Sequence, residues 1–448
     1  MTQVVVVGAG IAGLAAAHAL RGLDVVVIEG SEHVGGKLRT SPIAGIDVDE
    51  GAESFLTRVP EALDLARAVG LGGELVHPAT GAASVWSRGR LRPIPAGTVF
   101  GVPGSARSLA GVLSPVEVSR AALDLVLPGG GDTDDVSVGA LVTRRLGRAV
   151  VDRLVDPLLG GVYAGRADEL SVRATVPQLA AHDGSLIRAV RRSLPASTSG
   201  PVFATVRPGL GTLVGVVAAA SGARILTGRP VRRLERTPKG WRVVHGPTTD
   251  ERAVDADAVI VALPAAPAAR LLVDVAPRAA PDLAGIDAAS MAIVTTAWRR
   301  ADLPPGRASG YLVPAVSGRP VKAVTFATAK WAHLDAGDVA IVRCSIGRHG
   351  DTADLQRDDR DLVAAVIDEL RLTTGVSATP IDARVSRWGG ALPQYAVGHV
   401  ERVRRIHAAV ADVPGLAVCG ASYEGVGIPA CIRTGQQAAG RIRVTLSH

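Results

Sequence analysis

Gly8, Gly10 and Gly13 stand in G-x-G-x-x-G spacing near the start of this chain, and Glu29 follows them. Those residue types at that spacing suit a phosphorylated ligand. Gly8 permits a tight turn, Gly10 lets the backbone approach a pyrophosphate, and Gly13 lets a helix lie close to a sheet. An acid about twenty residues on can bind a ribose hydroxyl. It favours an unphosphorylated ribose, as in NAD or FAD, over a 2′-phosphorylated one.

The elements that must hold these residues surround them. Residues 4–7 are four valines in a row, as in a strand buried on both faces. Residues 14–20 are an Ala-rich helical run whose start presents N–H groups and a positive dipole end to phosphate. Residues 25–28 form a second apolar strand that ends at Glu29. The loop from Gly30 to Gly36 follows; Gly35 and Gly36 allow close backbone approach, and Lys37 and Arg39 can face phosphate. Alternation over residues 46–51 predicts a strand, and a helix follows at about 59–69.

Further on, residues 84–95 read as a hairpin turning at Arg88-Gly89. Residues 105–195 are mostly helical in pattern, with Ser114-Pro115-x-Glu117 as a helix start. Residues 128–132 read as a loop break, and residues 138–146 and 150–159 as helices. Residues 256–263 predict a buried strand returning to the first sheet. Strands at 292–297 and 339–344, with a helix at about 358–372, predict a second sheet domain. The chain closes with a strand at 416–420, a glycine-rich loop and a helix at 430–444. Three separated pieces thus converge on one site. A single NAD needs only the first, whereas an extended FAD uses all three, with the last helix start near its ring.

Composition narrows the classes. At 448 residues, two or three domains are expected. The net charge is +7, yet the arginines are scattered, with no basic run or aromatic stacking pattern, so no nucleic-acid partner is expected. The excess fits a polyanionic small substrate. Cys344, Cys419 and Cys431 are odd in number and form no C-x-x-C pair; this predicts a reducing, cytoplasmic setting and no metal site. No charge-free apolar run reaches the roughly 18 residues that would span a membrane.

Several segments together resemble the protoporphyrinogen/coproporphyrinogen oxidase family, within the FAD-containing amine-oxidase-like flavoproteins. They are GAGIAGLAAAHAL (8–20), GGKLRT (35–40), DEGAESF (49–55), PLLGGVYAG (157–165), LSVRATVPQL (170–179), RWGGALPQY (387–395) and GASYEGVGIPACIRTG (420–435). The resemblance covers nearly the whole chain; its first two motifs are shared across the larger group and the later ones are more specific. It implies an α/β fold: a Rossmann-type FAD-binding domain (1–57, 205–268 and 408–448), a mixed-sheet substrate domain (58–100 and 269–407) and a helical insert (101–204). It implies three two-electron oxidations of a porphyrinogen, in which FAD accepts hydride and oxygen reoxidises it, yielding hydrogen peroxide.

Carried over by position, the resemblance puts Gly8, Gly10, Ala12 and Gly13 at the pyrophosphate and Glu29 and Gly30 at the ribose. It puts Gly36, Lys37 and Arg39 on the phosphate side, Val231 at the adenine, and Gly425, Val426 and Gly427 under the flavin ring, with Gly420 and Ile428 also binding the cofactor. Relatives often have Arg where this chain has Lys37, so charge is kept but bidentate geometry is not. Arg58 is the candidate for a substrate carboxylate; the alternative is a solvated Arg. Arg88, Arg90 and Arg92 fit a solvated hairpin better than a basic rim. His399 fits a structural role better than proton transfer. Tyr163 and Trp388 read as core, and Tyr423 either contacts the flavin or packs.

The basic balance, the missing membrane segment and similarity to Gram-positive members favour coproporphyrinogen III, which carries four propionates, over protoporphyrinogen IX. An amine oxidase would need an aromatic cage, hard to build from four Tyr, four Phe and five Trp. The glycine motifs would equally serve a carotenoid desaturase, whose substrate calls for a large apolar entry and little basic bias, or a flavin scaffold without turnover. A transient contact with the next haem-pathway enzyme fits the resemblance, although no residue marks it.

Overall fold

Four consecutive valines cannot alternate between a dry and a wet face, and the strand they form has no wet face. The structure, a computed structural model, describes residues 2–128, 134–180, 184–194, 200–304 and 308–447. The loop break expected at 128–132 falls, after Pro128, outside the described residues. Gln3–Val7 is the middle strand of a five-stranded parallel sheet. The strands run Arg224–Leu226, Asp24–Ile28, Gln3–Val7, Ala258–Val261, Leu416–Val418. Val4 and Val6 point into one core, with the helices Ile11–Ala19, Leu210–Ser221 and Ile428–Leu446. Val5 and Val7 point into another, with Trp241 and the helix Ala265–Leu272.

The strand expected over 256–263 is divided. Ala256 ends Arg252–Ala256, the edge of a separate three-stranded antiparallel sheet, and the parallel sheet resumes at Ala258. Asp257 makes the break. Its carboxylate accepts from the Gln3 N–H at 2.7 Å, and its own N–H donates to the Gln3 carbonyl at 2.9 Å.

Thr40, just after the basic residues Lys37 and Arg39, begins a hairpin of which the alternation over 46–51 predicts only the second strand. Thr40–Ile43 pairs with Ile46–Asp49 across a turn in which Ala44 and Gly45 both have positive φ, 47° and 79°. Such two-residue turns favour Asn-Gly or Gly-Gly, so an alanine there concealed the hairpin.

The second layer is a seven-stranded mixed sheet in the order Asp382–Pro393, Ala288–Arg299, Val339–Ile346, Val321–Phe326, Gly310–Leu312, Ala83–Ser87, Arg90–Pro93. The last two strands are the hairpin at Arg88-Gly89. They join through a parallel pairing of Ala83–Ser87 with Gly310–Leu312. Helix Asp359–Thr374 covers one face through Leu362, Val366 and Leu370, all fully buried.

The third body is mainly helical. Ser114 and Glu117 form a reciprocal capping box at Pro115–Ala122, as the sequence spacing requires. The helix expected over 150–159 is present as a continuous helical run with a widened turn inside it. Val151–Val155 is a π-type turn, and Asp156–Tyr163 continues from it as α-helix. Pro157 has no N–H to give to the preceding turn, which widens there.

His349 joins this body to the second sheet. Its Nδ1 lies 2.7 Å from Glu169 and its Nε2 lies 2.8 Å from Asp287. Burial opposes charging of the imidazole, but bonds to the two carboxylates outweigh it and raise its pKa above 6.5. A raised folded pKa stabilises below the unfolded value and loses that contribution as pH rises through the folded one. Both partners are well exposed, so the expected contribution is about 1 kcal/mol. Denaturant titrations of His349→Gln against the parent should differ most below pH 6.5 and converge at alkaline pH.

Candidate active site

The glycine turn is forced by its neighbours. A Cβ on Gly8, whose φ is +101°, would lie 2.7 Å from the Ala262 carbonyl oxygen. A Cβ on Gly13 would lie 2.0 Å from the Gly8 carbonyl oxygen. Gly10 differs: a Cβ there meets nothing within 4 Å. Gly10 therefore faces open space at the start of the helix Ile11–Ala19, and no side chain caps that start. This is the shape a pyrophosphate needs, with backbone N–H groups and a positive dipole end aimed at it. Ala12 lies in the same first turn, against the closing helix. A Cβ on Gly435 would be 2.2 Å from the Ala12 carbonyl oxygen, so only glycine lets the two helices cross there.

Glu29 is held in place. One carboxylate oxygen accepts from the Ala9 N–H at 2.7 Å, and the other accepts from the N–H and hydroxyl of Ser31, each at 2.9 Å. Gly30 packs 3.6 Å from Pro230, measured from an added Cβ, which brings Val231 to the same edge of the site. Gly35 closes the other side by donating to the Ala9 carbonyl at 2.8 Å. Gly36 stands beside it, its added Cβ 3.5 Å from the Cα of Gly10.

The two basic residues of this loop diverge. Arg39 pairs with Glu50 at 3.2 Å, so its charge is engaged within the protein. Lys37 has no hydrogen-bond or ion-pair partner among the described residues. Burial lowers its pKa, and the Cys431 thiol lies close enough to oppose that shift. A cation beside the start of a helix is poorly placed for the helix dipole. An anionic ligand between the two resolves this.

That helix, Ile428–Leu446, starts at Gly427 with no side-chain cap and with Pro429 in its first turn. Gly420, with φ +125°, has nothing within 4 Å of an added Cβ, and its N–H donates to Thr434 at 3.1 Å. Val426 packs against the helical body, while Ile428 is buried in the core beneath the parallel sheet. The two strand-to-helix turns, at Gly10 and Gly427, leave the sheet at strands Gln3–Val7 and Leu416–Val418, separated only by Ala258–Val261. The three pieces expected to converge on one site do share one sheet.

His399 is buried and stacks on Tyr395, with ring centroids 3.9 Å apart, and its Nε2 donates to the Tyr423 carbonyl at 3.0 Å. Burial pushes its pKa down to about 4, so it is a neutral structural histidine. Tyr423 is buried in the second core. Trp388 is half-buried and donates to the Glu50 carbonyl at 3.1 Å. Arg92 donates to the carbonyls of Ser87 and Gly111, and Arg88 to that of Leu113, so both brace the hairpin. Arg58 is exposed in the turn after Phe55–Leu56, with no partner among the described residues.

The largest feature missed in the sequence is a charge cluster behind Gly51. Glu53 accepts from Lys330 at 2.6 Å and from Arg343, which also donates to the Gly51 carbonyl at 2.6 Å. Burial would raise the Glu53 pKa, but Lys330 and Arg343 together hold it down at about 2. Asp49 nearby is pushed up to about 6 by burial, against bonds from Thr40 and the Leu210 N–H. Of the cluster, only Glu53 lies inside a recognisable motif; its partners are about three hundred residues away, with no local spacing to reveal them. Among the described residues, no three His, Cys, Asp or Glu side chains are arranged to hold a metal. No described helix is long and apolar enough to cross a membrane.

The pattern of the flavin containing amine oxidoreductase family matches residues 11–443. Coproporphyrinogen III oxidase from Mycobacterium bovis is 38% identical over 450 residues, covering 97% of this chain and 95% of that one. The protein of the same name from Bacillus subtilis is 32% identical over 461 residues and 97% of each chain. A crystal structure from Exiguobacterium sp. 255-15, solved as that of a proposed protoporphyrinogen oxidase, superposes with a TM-score of 0.87. It is 29% identical and covers 100% of this chain and 99% of that one. The chain therefore belongs to the flavin containing amine oxidoreductase family, and its cofactor is FAD.

Proposed function

We propose that this chain oxidises coproporphyrinogen III to coproporphyrin III in three two-electron steps. The observation that carries this reading is full-length identity of 38% to relatives named for that reaction. Dioxygen takes the electrons, so three molecules of hydrogen peroxide leave per macrocycle. Bound FAD supplies hydride acceptance. The N–H groups after Gly10 hold its pyrophosphate, Glu29 orients its ribose, and Lys37 offsets its negative charge. Val231 lines the adenine, and Gly420, Val426, Gly427 and Ile428 line the ring. We assign FAD binding to 1–57, 205–268 and 408–448, the substrate to 58–100 and 269–407, and the helical body to 101–204. Three buried, unpaired cysteines support a cytoplasmic setting.

The test is porphyrin fluorescence under air, with coproporphyrinogen III and protoporphyrinogen IX offered separately and autoxidation subtracted. Faster turnover of the tetracarboxylate is expected. Preference for the dicarboxylate would favour the second reading, protoporphyrinogen oxidation, which the Exiguobacterium relative suggests. No enzyme-dependent porphyrin from either would overturn both.

Within this reading, Arg58 binds a propionate, because it is an exposed guanidinium without a partner among the described residues, just after the Gly51–Phe55 segment. Arg58→Glu should raise KM for coproporphyrinogen III about tenfold, the loss of one charge-assisted contact, with kcat little changed. Steady-state kinetics on the FAD-loaded variant measure it.

A further inference from the structure

The loop between the strand Leu416–Val418 and the helix Ile428–Leu446 contains Gly420, Gly425 and Gly427. Gly420 and Gly425 have positive φ, +125° and +133°. A loop this rich in glycine has many conformations to choose among, so something outside it must select one. The selection comes from residues 394–399. The Tyr395 hydroxyl donates to the Ala421 carbonyl at 2.6 Å and accepts from the Gly425 N–H at 2.7 Å. His399, stacked on the same ring, donates to the Tyr423 carbonyl at 3.0 Å. Three backbone groups of the loop are thus held by two side chains, and those side chains are only 1% and 3% exposed.

The clamp is itself anchored on the other two bodies. The Tyr395 carbonyl accepts from the Ser171 N–H at 2.8 Å, and the Gln394 side chain donates to the Tyr163 carbonyl at 2.8 Å. The Gly398 N–H donates to Asp135 at 2.8 Å. Ser171, Tyr163 and Asp135 all lie in the helical body. Residue 394 directly follows the twelve-residue strand Asp382–Pro393 of the second sheet. Tyr395 therefore stands where all three bodies meet.

We propose that Tyr395, seconded by His399, is a positioning residue that fixes the loop facing the flavin and so sets how tightly, and in what environment, FAD is held. This rests on the reading that residues 420–428 face the flavin ring. Tyr395→Phe keeps the ring and its stack on His399 but takes from the Ala421 carbonyl and the Gly425 N–H their partner at a partly buried site.

The experiment compares purified, FAD-reconstituted parent, Tyr395→Phe and Tyr311→Phe. Tyr311 is an equally buried tyrosine whose hydroxyl lies 2.6 Å from Thr373 in the second sheet's core. Thermal midpoint, FAD dissociation followed by flavin fluorescence, and the visible flavin spectrum are read for each. Tyr395→Phe should release FAD about tenfold more readily, a loss of about 1.4 kcal/mol, with a displaced flavin absorption band. Tyr311→Phe should lower the midpoint but leave affinity and spectrum as in the parent. If Tyr395→Phe does not accumulate folded, His399→Asn is measured instead and the same direction is expected. An affinity and spectrum equal to the parent in the variant measured would overturn the positioning role alone. A parent protein that takes up no FAD would overturn the cofactor reading, and this inference with it.

Discussion

Gly13→Ala should give a protein that purifies without FAD and melts earlier than the parent. The added methyl would sit 2.0 Å from the Gly8 carbonyl oxygen, and that oxygen cannot yield. Gly8 is locked by its own φ of +101° and by the Ala262 carbonyl 2.7 Å from where its Cβ would lie. The helix Ile11–Ala19 must therefore move off the sheet. Overpacking of this kind costs about 3 kcal/mol, equivalent to roughly a hundredfold in affinity if it falls on the bound state. Gly10→Ala is the matched comparison. Its methyl meets no protein atom within 4 Å, so its apoprotein should melt like the parent while FAD affinity falls. Flavin-to-protein absorbance ratios and thermal midpoints of the two apoproteins separate the outcomes. Equal midpoints for both apo variants would show that Gly13 does not set the helix–sheet approach.

Glu53→Gln is expected to be the most destabilising change in the cluster behind Gly51. The carboxylate serves both Lys330 and Arg343, and the amide leaves two cations facing each other without a counter-charge. Removing one partner from a buried ionic group costs about 3–5 kcal/mol; the carboxylate is 16% exposed, which argues for the lower end, about 3 kcal/mol. The sign with pH follows from the depressed pKa. A carboxyl at about 2 when folded and 4.5 otherwise contributes fully above pH 4.5 and loses that contribution as pH falls toward 2. Denaturant midpoints of parent and variant should stay apart from neutrality down to about pH 4.5 and approach each other below it. Pairing the change with Lys330→Met should recover part of the loss, because one of the stranded cations is gone.

The parallel sheet was legible because its strands are buried on both faces and therefore written as runs of valine. The glycine turn was legible because each glycine answers a separate steric demand, and the structure shows those demands at Gly8 and Gly13 directly. The break at Asp257 was not, since it depends on a bond to Gln3, far away in sequence. The hairpin at Thr40 was concealed by an alanine in a left-handed position. The Glu53 cluster was concealed for a similar reason to the break: three charged residues from distant segments carry no shared period. The neutrality of His399 followed from burial that only the folded chain supplies, against the opposing bond to the Tyr423 carbonyl.

The sheet order also sets a schedule for synthesis. The strand Gln3–Val7 precedes its neighbour Ala258–Val261 by some two hundred and fifty residues, and the edge strand Leu416–Val418 is made later still. The helix that crosses Ala12 at Gly435 follows that edge strand. Closing loops of that length is slow, so the edge of Gln3–Val7 away from Asp24–Ile28 must wait unpaired. The helical body, made between those strands from local contacts, can fold while they wait. The strand Gln3–Val7 is therefore the part of this sheet most in need of shielding while residues 258–261 are still to be made.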